Sequence, residues 1–329
     1  MGILRTLTFG LFAFAVIVVG GGGCTANDFD PYSKVESVRI LATRMSQPSP
    51  APGDTVDLDV LAFDGRQDRT HPMQLFWFPE PCVDPTEDGY FNCYPTMRDR
   101  YPVGVDLTSQ LHIDVRMTVA IPPDVIARHS GQRGNLPYGM VLVFLMACAG
   151  HVEAVPPPSG VGPEAVPFGC FDDQHHPLGP DDWAFSYATV FSFANQKSAN
   201  PIIDHLSFGG VPVDATAGIT VDHCTQANID DCPTTPLDTF VPDASQELNP
   251  GNLDVDGNVL REQIWVDYFV TRGKVKNDTV ILFDSRNGRV GNIADDFYAP
   301  QTAGEFLLWA VVRDDRGGAS WLMVPLHAR

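Results

Sequence analysis

Proline and glycine interrupt this chain so often that no apolar run beyond residue 24 outlasts 140–149, which excludes long helices and leaves short strands as the units to be packed. Between the 28 prolines and 29 glycines the apolar residues recur at period two. In 55–63, Val56, Leu58, Val60 and Ala62 share one face and Asp57 and Asp59 the other. In 111–119, Leu111, Ile113, Val115, Met117 and Val119 alternate with His112, Asp114, Arg116 and Thr118, the pattern of one strand at the outside of a sheet. The run 140–149, set between Gly139 and Gly150, is apolar throughout; its length and valines fit a central strand, with a buried helix as the alternative. Strands are also expected at 35–43, 73–78, 183–194, 201–208, 218–223, 262–270, 279–283, 305–313 and 319–326, the last two joined by the turn-forming Asp314, Asp315, Arg316, Gly317 and Gly318. By contrast, 150–180 reads as a long loop, 195–200 as a polar linker, and the stretch up to Asn258 carries few structural signals. The expected architecture is all-β, with one β-sandwich domain over 34–199 and a second over 200–329.

The cysteines point to an oxidising compartment. Cys82, Cys93, Cys148, Cys170, Cys224 and Cys232 form an even set without a CxxC pair, so a zinc cluster at ligand spacing is not indicated. Six cysteines permit 15 connectivities. Their arrangement in three close pairs makes 82 with 93, 148 with 170 and 224 with 232 the simplest choice. Cys24 stands apart from all of them.

The amino terminus explains that seventh cysteine. Arg5 precedes an apolar run over 7–19, too short for the ~20 residues of a spanning helix, and four glycines then lead into Cys24. Residues 1–23 have the layout of a signal peptide, and 24–33 that of a polar tether. The small residues before Cys24 resemble the lipobox of bacterial lipoproteins. Gly22 and Gly23 fit its small positions, while Gly21 stands where that pattern has a leucine-like residue. The resemblance implies a diacylglycerol on the Cys24 thiol and Cys24 as the mature amino terminus; ordinary cleavage after Ala26 is the alternative. Thr25, in place of the aspartate that retains lipoproteins at the inner membrane, implies an outer-membrane location facing the periplasm or the cell surface.

A second resemblance concerns the domains. Tyr298, Ala299 and Pro300, followed by Gly304 and a strand over 306–313 that ends in Asp314, resemble the closing segment of PKD and other bacterial Ig-like domains. Pro52, Gly53, Asp54 and Thr55 resemble the start of the second strand in such domains. The whole chain is similar to predicted outer-membrane lipoproteins of myxobacterium-type bacteria. These resemblances imply two Ig-like β-sandwich domains and carry no activity with them.

Four groups of residues bear on chemistry. Asn252, Asp254, Asp256 and Gly257 follow the opening of a calcium loop, in which alternating oxygen side chains wrap a hard cation. Its closing glutamate is missing, because position 263 is Gln263 and Glu262 comes one residue early, so an acidic surface turn is the competing reading. Asp172, Asp173, His175, His176, Asp181 and Asp182 are the densest set of potential zinc or transition-metal ligands, against the reading of a solvated loop. Gly160, Gly162 and Ala165 match GxGxxA, but without the strand-to-helix setting of a dinucleotide site. GxSxG, HExxH and Walker sequences are absent from the sequence. Trp77, Trp183, Trp265, Trp309 and Trp321 are expected mainly in the cores, with sugar stacking as the alternative.

The formal charge of −20 disfavours nucleic acid and peripheral binding to anionic lipid, leaving the acyl group on Cys24 as the membrane link. The expectation is a non-enzymatic envelope lipoprotein, a scaffold or protein-binding module without a cofactor. The alternatives are a surface protein that binds glycan or calcium and a metal-dependent hydrolase around His175 and His176.

Overall fold

The computed structural model describes residues 31–329, apart from 130, 131, 134, 135 and 163. The signal peptide, Cys24 and most of the tether lie outside the described residues. Those described are almost entirely β structure. In the amino-terminal half the main elements are β1 (Val38–Met45), β2 (Thr55–Asp64), β3 (Gln74–Trp77), helix α1 (Tyr94–Arg100), β4 (His112–Ile113), β5 (Arg116–Ala120), β6 (Gly139–Cys148), β7 (His151–Ala154), β8 (Phe168–Phe171) and β9 (Trp183–Ser192). The carboxy-terminal half contains β10 (His205–Phe208), β11 (Ile219–Val221), β12 (Thr234–Phe240), β13 (Leu248–Leu253), β14 (Val259–Arg261), β15 (Ile264–Val270), β16 (Thr279–Asp284), β17 (Asp295–Tyr298), β18 (Gly304–Asp314) and β19 (Ala319–Ala328). Very short strands extend some sheet edges.

In the first half, a sheet ordered β1-β2-β5 faces a sheet ordered β9-β6-β3-β4. Val56, Leu58, Val119, Trp77, Val141, Val143 and Leu145 fill the space between them. The other face of the second sheet is covered as well. Phe76, Phe144 and Met146 there meet Tyr94 and Met97 of α1 and Phe168 of β8, with the Cys82–Cys93 and Cys148–Cys170 disulfides tying the covering loops down. Double coverage is why β6 is apolar at every position: each of its residues is buried, whichever face it points to.

The second half repeats the two-sheet arrangement. One sheet contains β10, β12 and β17; the other runs β11-β19-β18-β15-β16. Leu206 and Leu237 pack against Ile264, Val266, Tyr268, Leu308 and Val312 in the core between them. The Cys224–Cys232 disulfide closes the loop before β12. All three expected cysteine pairs are therefore formed.

Among the described residues the halves share no sheet, and a lone bridge, Lys34 to Val270, crosses between them. Pro31–Arg329 nevertheless form one compact unit, with side chains packed across the seam. A bulge in β1, where Ile40 pairs with Ala62 but Ala42 pairs with Leu61, brings both Leu41 and Ala42 to the side of the second half. They meet Phe269, Trp309 and Val311, with Leu61 and Phe63 alongside. Each large apolar side chain fully buried here contributes about 1.5–3 kcal/mol. Arg313 adds polar contacts at this seam, donating from Nε to Asp267 (2.9 Å) and from its other end to the Leu41 carbonyl. The stretch 195–200, expected as a linker, is fastened on both sides: Asn200 donates to Met45 O (2.8 Å) and accepts from Ala319 N (3.0 Å), while Ser198 is buried against Glu262.

Three local expectations are corrected. Residues 111–119 are not one strand, because the chain leaves the β3 edge after β4 and joins the opposing sheet as β5, leaving Ile113 and Val115 exposed. The stretch 150–180 contains the β7–β8 hairpin, and the stretch before Asn258 contains β12 and β13. Among the described residues no helix is long and apolar enough to cross a membrane.

Candidate functional site

The β7–β8 hairpin assembles the strongest cluster of ligand-type side chains. Alternation along β7 places His151 and Glu153 on the same face. On one edge β7 pairs with β8, His151 opposite Phe171 and Glu153 opposite Gly169. On its other edge it accepts hydrogen bonds from Leu107 N to Val152 O (2.9 Å) and Gly104 N to Ala154 O (3.1 Å). The Cys148–Cys170 disulfide ties the end of β6 to β8 immediately beside it. The β6–β7 turn must also pass close to β8: a Cβ on Gly150 would lie 2.1 Å from Phe171 O, so only glycine fits without displacement.

His175 arrives from the turn after β8. Asp172 organises that turn, its Oδ1 accepting from Gln174 N (2.8 Å) and His176 N (2.9 Å), while His175 N donates to Asp172 O (3.0 Å). His175 takes the left-handed conformation, φ +61°, which is uncommon for a side chain with Cβ, and its ring is thereby directed back to β7. Its Nδ1 meets Glu153 Oε1, the same oxygen that His151 Nε2 meets at 2.7 Å. The imidazoles stand edge to face with centroids 5.1 Å apart, and the three ligand atoms lie within 4.8 Å of one another. Glu153 is 4% exposed, so its carboxylate needs these partners to offset lost hydration. His151 is half-buried, and the His175 side chain is 61% exposed.

The sequence cluster around His175 is thus divided. His176 turns away to Asp172 (3.3 Å), and Asp182 pairs with Arg66 (2.7 Å) while accepting from Gly179 N (3.0 Å). His175 instead joins His151 and Glu153, which the sequence reading missed. The signal available was His-x-Glu directly after Gly150, meaningful only once 151–154 is recognised as a strand.

The calcium-type residues lie elsewhere. Asn252 belongs to β13, and Asp254 and Asp256 occupy the turn to β14, with Gly257 at φ +83°. Asp254 caps that turn: it accepts from Asn258 Nδ2 (3.0 Å), Asn258 N (2.8 Å) and Asp256 N (2.9 Å), and these bonds hold its carboxyl below the usual range. Asn252 lines a cavity of about 320 Å³ between the halves, together with Phe191, Phe193, Asp315 and Arg316. Beside it Arg316 is buried, donating to Leu248 O (2.9 Å), Glu262 Oε1 (3.1 Å) and Lys197 O (3.1 Å). Gly160 and Gly162 fall in an irregular loop. The five tryptophans are buried or half-buried.

No protein-family model matches the chain, and no curated protein matches it in sequence. Among solved structures it is similar to dimeric latent PorU from Porphyromonas gingivalis at 12% identity and a TM-score of 0.21, covering 90% of this chain and 24% of that one. It is also similar to the three N-terminal domains of the bacteriophage RB49 highly immunogenic outer capsid protein, Hoc, at 9% identity and a TM-score of 0.15, covering 89% of this chain and all of that one. The chain therefore spans about a quarter of the PorU chain. Likenesses at these scores do not bear on function.

Proposed function

We propose that this protein is an exported, non-enzymatic component of a bacterial envelope, anchored through Cys24 in the outer membrane and acting as a scaffold or protein-binding module. The observation that carries this reading is the cysteine pairing. Six of the seven cysteines form three disulfides, as suits an oxidising compartment, and the one left over occupies the lipobox-like position. The packed seam between the halves supports a scaffold role, since it fixes their relative orientation.

A glycan-binding surface is the second reading. Tyr90, Phe91 and Tyr187 are exposed, and the Tyr90 and Tyr187 rings stack at 4.8 Å, giving an aromatic platform of the kind that packs on apolar faces of sugars.

Fractionation of cells expressing the native protein or Cys24→Ser tests the anchor. The native protein is expected in the outer-membrane fraction and the variant in the soluble periplasm. Equal distribution of the two would remove Cys24 from the account.

A further inference from the structure

We propose that His151, Glu153 and His175 bind one divalent transition-metal cation, zinc foremost, as a function separate from envelope anchoring. Two imidazole nitrogens and one carboxylate oxygen make up a donor set suited to zinc, cobalt(II), nickel(II) or copper(II). The set is a poor one for calcium or magnesium, which require six or more oxygens.

The geometry needs little adjustment. Bonds of about 2.0–2.1 Å to a tetrahedral zinc place the donors roughly 3.3 Å from one another. The three ligand atoms are already within 4.8 Å; the His151–Glu153 pair, at 2.7 Å, and the closer His175–Glu153 pair both have to open to admit the ion. Two donors stand on a strand hydrogen-bonded along both edges and flanked by the Cys148–Cys170 disulfide. The third comes from a turn ordered by Asp172, and its exposed ring can shift without disturbing the core.

The charges are also complementary to a cation. Glu153 carries its carboxylate inside the fold, and two ring nitrogens converge on the same oxygen of it. A cation among them replaces that shared hydrogen bonding with three direct bonds and supplies the positive charge that the buried carboxylate lacks when both rings are neutral. The exposed side of His175 leaves a coordination position towards solvent, for water or for a carboxylate of a partner.

The test uses the full mature chain with its disulfides intact, stripped with chelator and titrated calorimetrically with zinc alone. A parallel titration with cobalt(II) reads the visible absorption of a four-coordinate nitrogen and oxygen site. One equivalent is expected to bind, with a rise in Tm. Second-sphere changes at metal sites weaken binding 10–100-fold, so loss of a ligand in His175→Ala or His151→Ala is expected to weaken it by more than about 100-fold and abolish the cobalt spectrum. His176→Ala should bind as the native chain does. Because His175 also partners the buried Glu153, metal-free His175→Ala is expected to melt somewhat lower but still cooperatively with its disulfides intact, which separates ligand loss from misfolding. Zinc binding unchanged in His175→Ala, or no saturable binding to the native chain, would overturn the proposal. Neither result would affect the Cys24 anchor, which depends on different residues.

Discussion

Glu262 has no solvent contact, and its carboxylate accepts from Ser198 Oγ (3.2 Å), Glu247 N (3.1 Å) and Arg316 Nη1 (3.1 Å) at the junction of the two halves. Burial and the nearby Asp314 push it up to about 7, against the pull of the Glu247 N–H and of Arg316. Asp314 is likewise raised to about 6, chiefly by burial; its Oδ1 accepts from Arg316 N and Gly318 N, while Oδ2 has no hydrogen-bond partner among the described residues. A raised carboxyl holds its proton more tightly in the folded state. Its contribution is therefore full below the unfolded value near 4.5 and is lost as pH rises through about 7. Urea unfolding at pH 5 and pH 8 should show native stability falling across that interval, by on the order of 2 kcal/mol from Glu262. Glu262→Gln should remove most of that fall. An equal pH dependence in the variant would assign the effect to other groups.

Gly150 shows how an element depends on one close approach. Gly150→Ala forces the β6–β7 turn away from Phe171 O, and an overpacked contact of this kind costs typically 1–3 kcal/mol. Thermal unfolding should register that loss, and zinc affinity should fall with it, because His151 follows immediately. Unchanged stability would mean that the hairpin gives way more easily than its bonding implies. Much at this scale was legible from sequence. The uninterrupted apolar run of β6 fitted a central strand, with a buried helix as the alternative, and three short cysteine intervals made the observed three disulfides the simplest pairing. Other features were not, for identifiable reasons. Period two continues through 111–119 although the chain changes sheets there, since alternation records which way a side chain points and not which strand lies beside it. The change is fixed by long-range bonds, Trp77 Nε1 to Asp114 O (3.0 Å) and Val60 N to Val115 O (3.0 Å), that leave no local mark. His151 and Glu153 escaped notice because a four-residue strand amid prolines is too short for periodicity to register.

At the scale of the whole molecule, the described chain is a stack: the covering loops and α1, the two sheets of the first half, then the two sheets of the second. Leu41, Phe269 and Trp309 close the seam between the halves. The candidate metal site lies in the covering layer, away from that seam, so cation binding and the mutual orientation of the halves are separable. A formal charge of −20 keeps such a stack dispersed and gives it no attraction to anionic membrane, so the proposed envelope role requires the lipid proposed at Cys24. The most direct measurement is the intact mass of the protein extracted from membranes, after alkylation without reduction. The account predicts a chain beginning at Cys24 that carries acyl mass and no alkylated thiol, with all six other cysteines in disulfides. A chain beginning near Asn27 without lipid, or one carrying alkylated cysteines among the six, would contradict it.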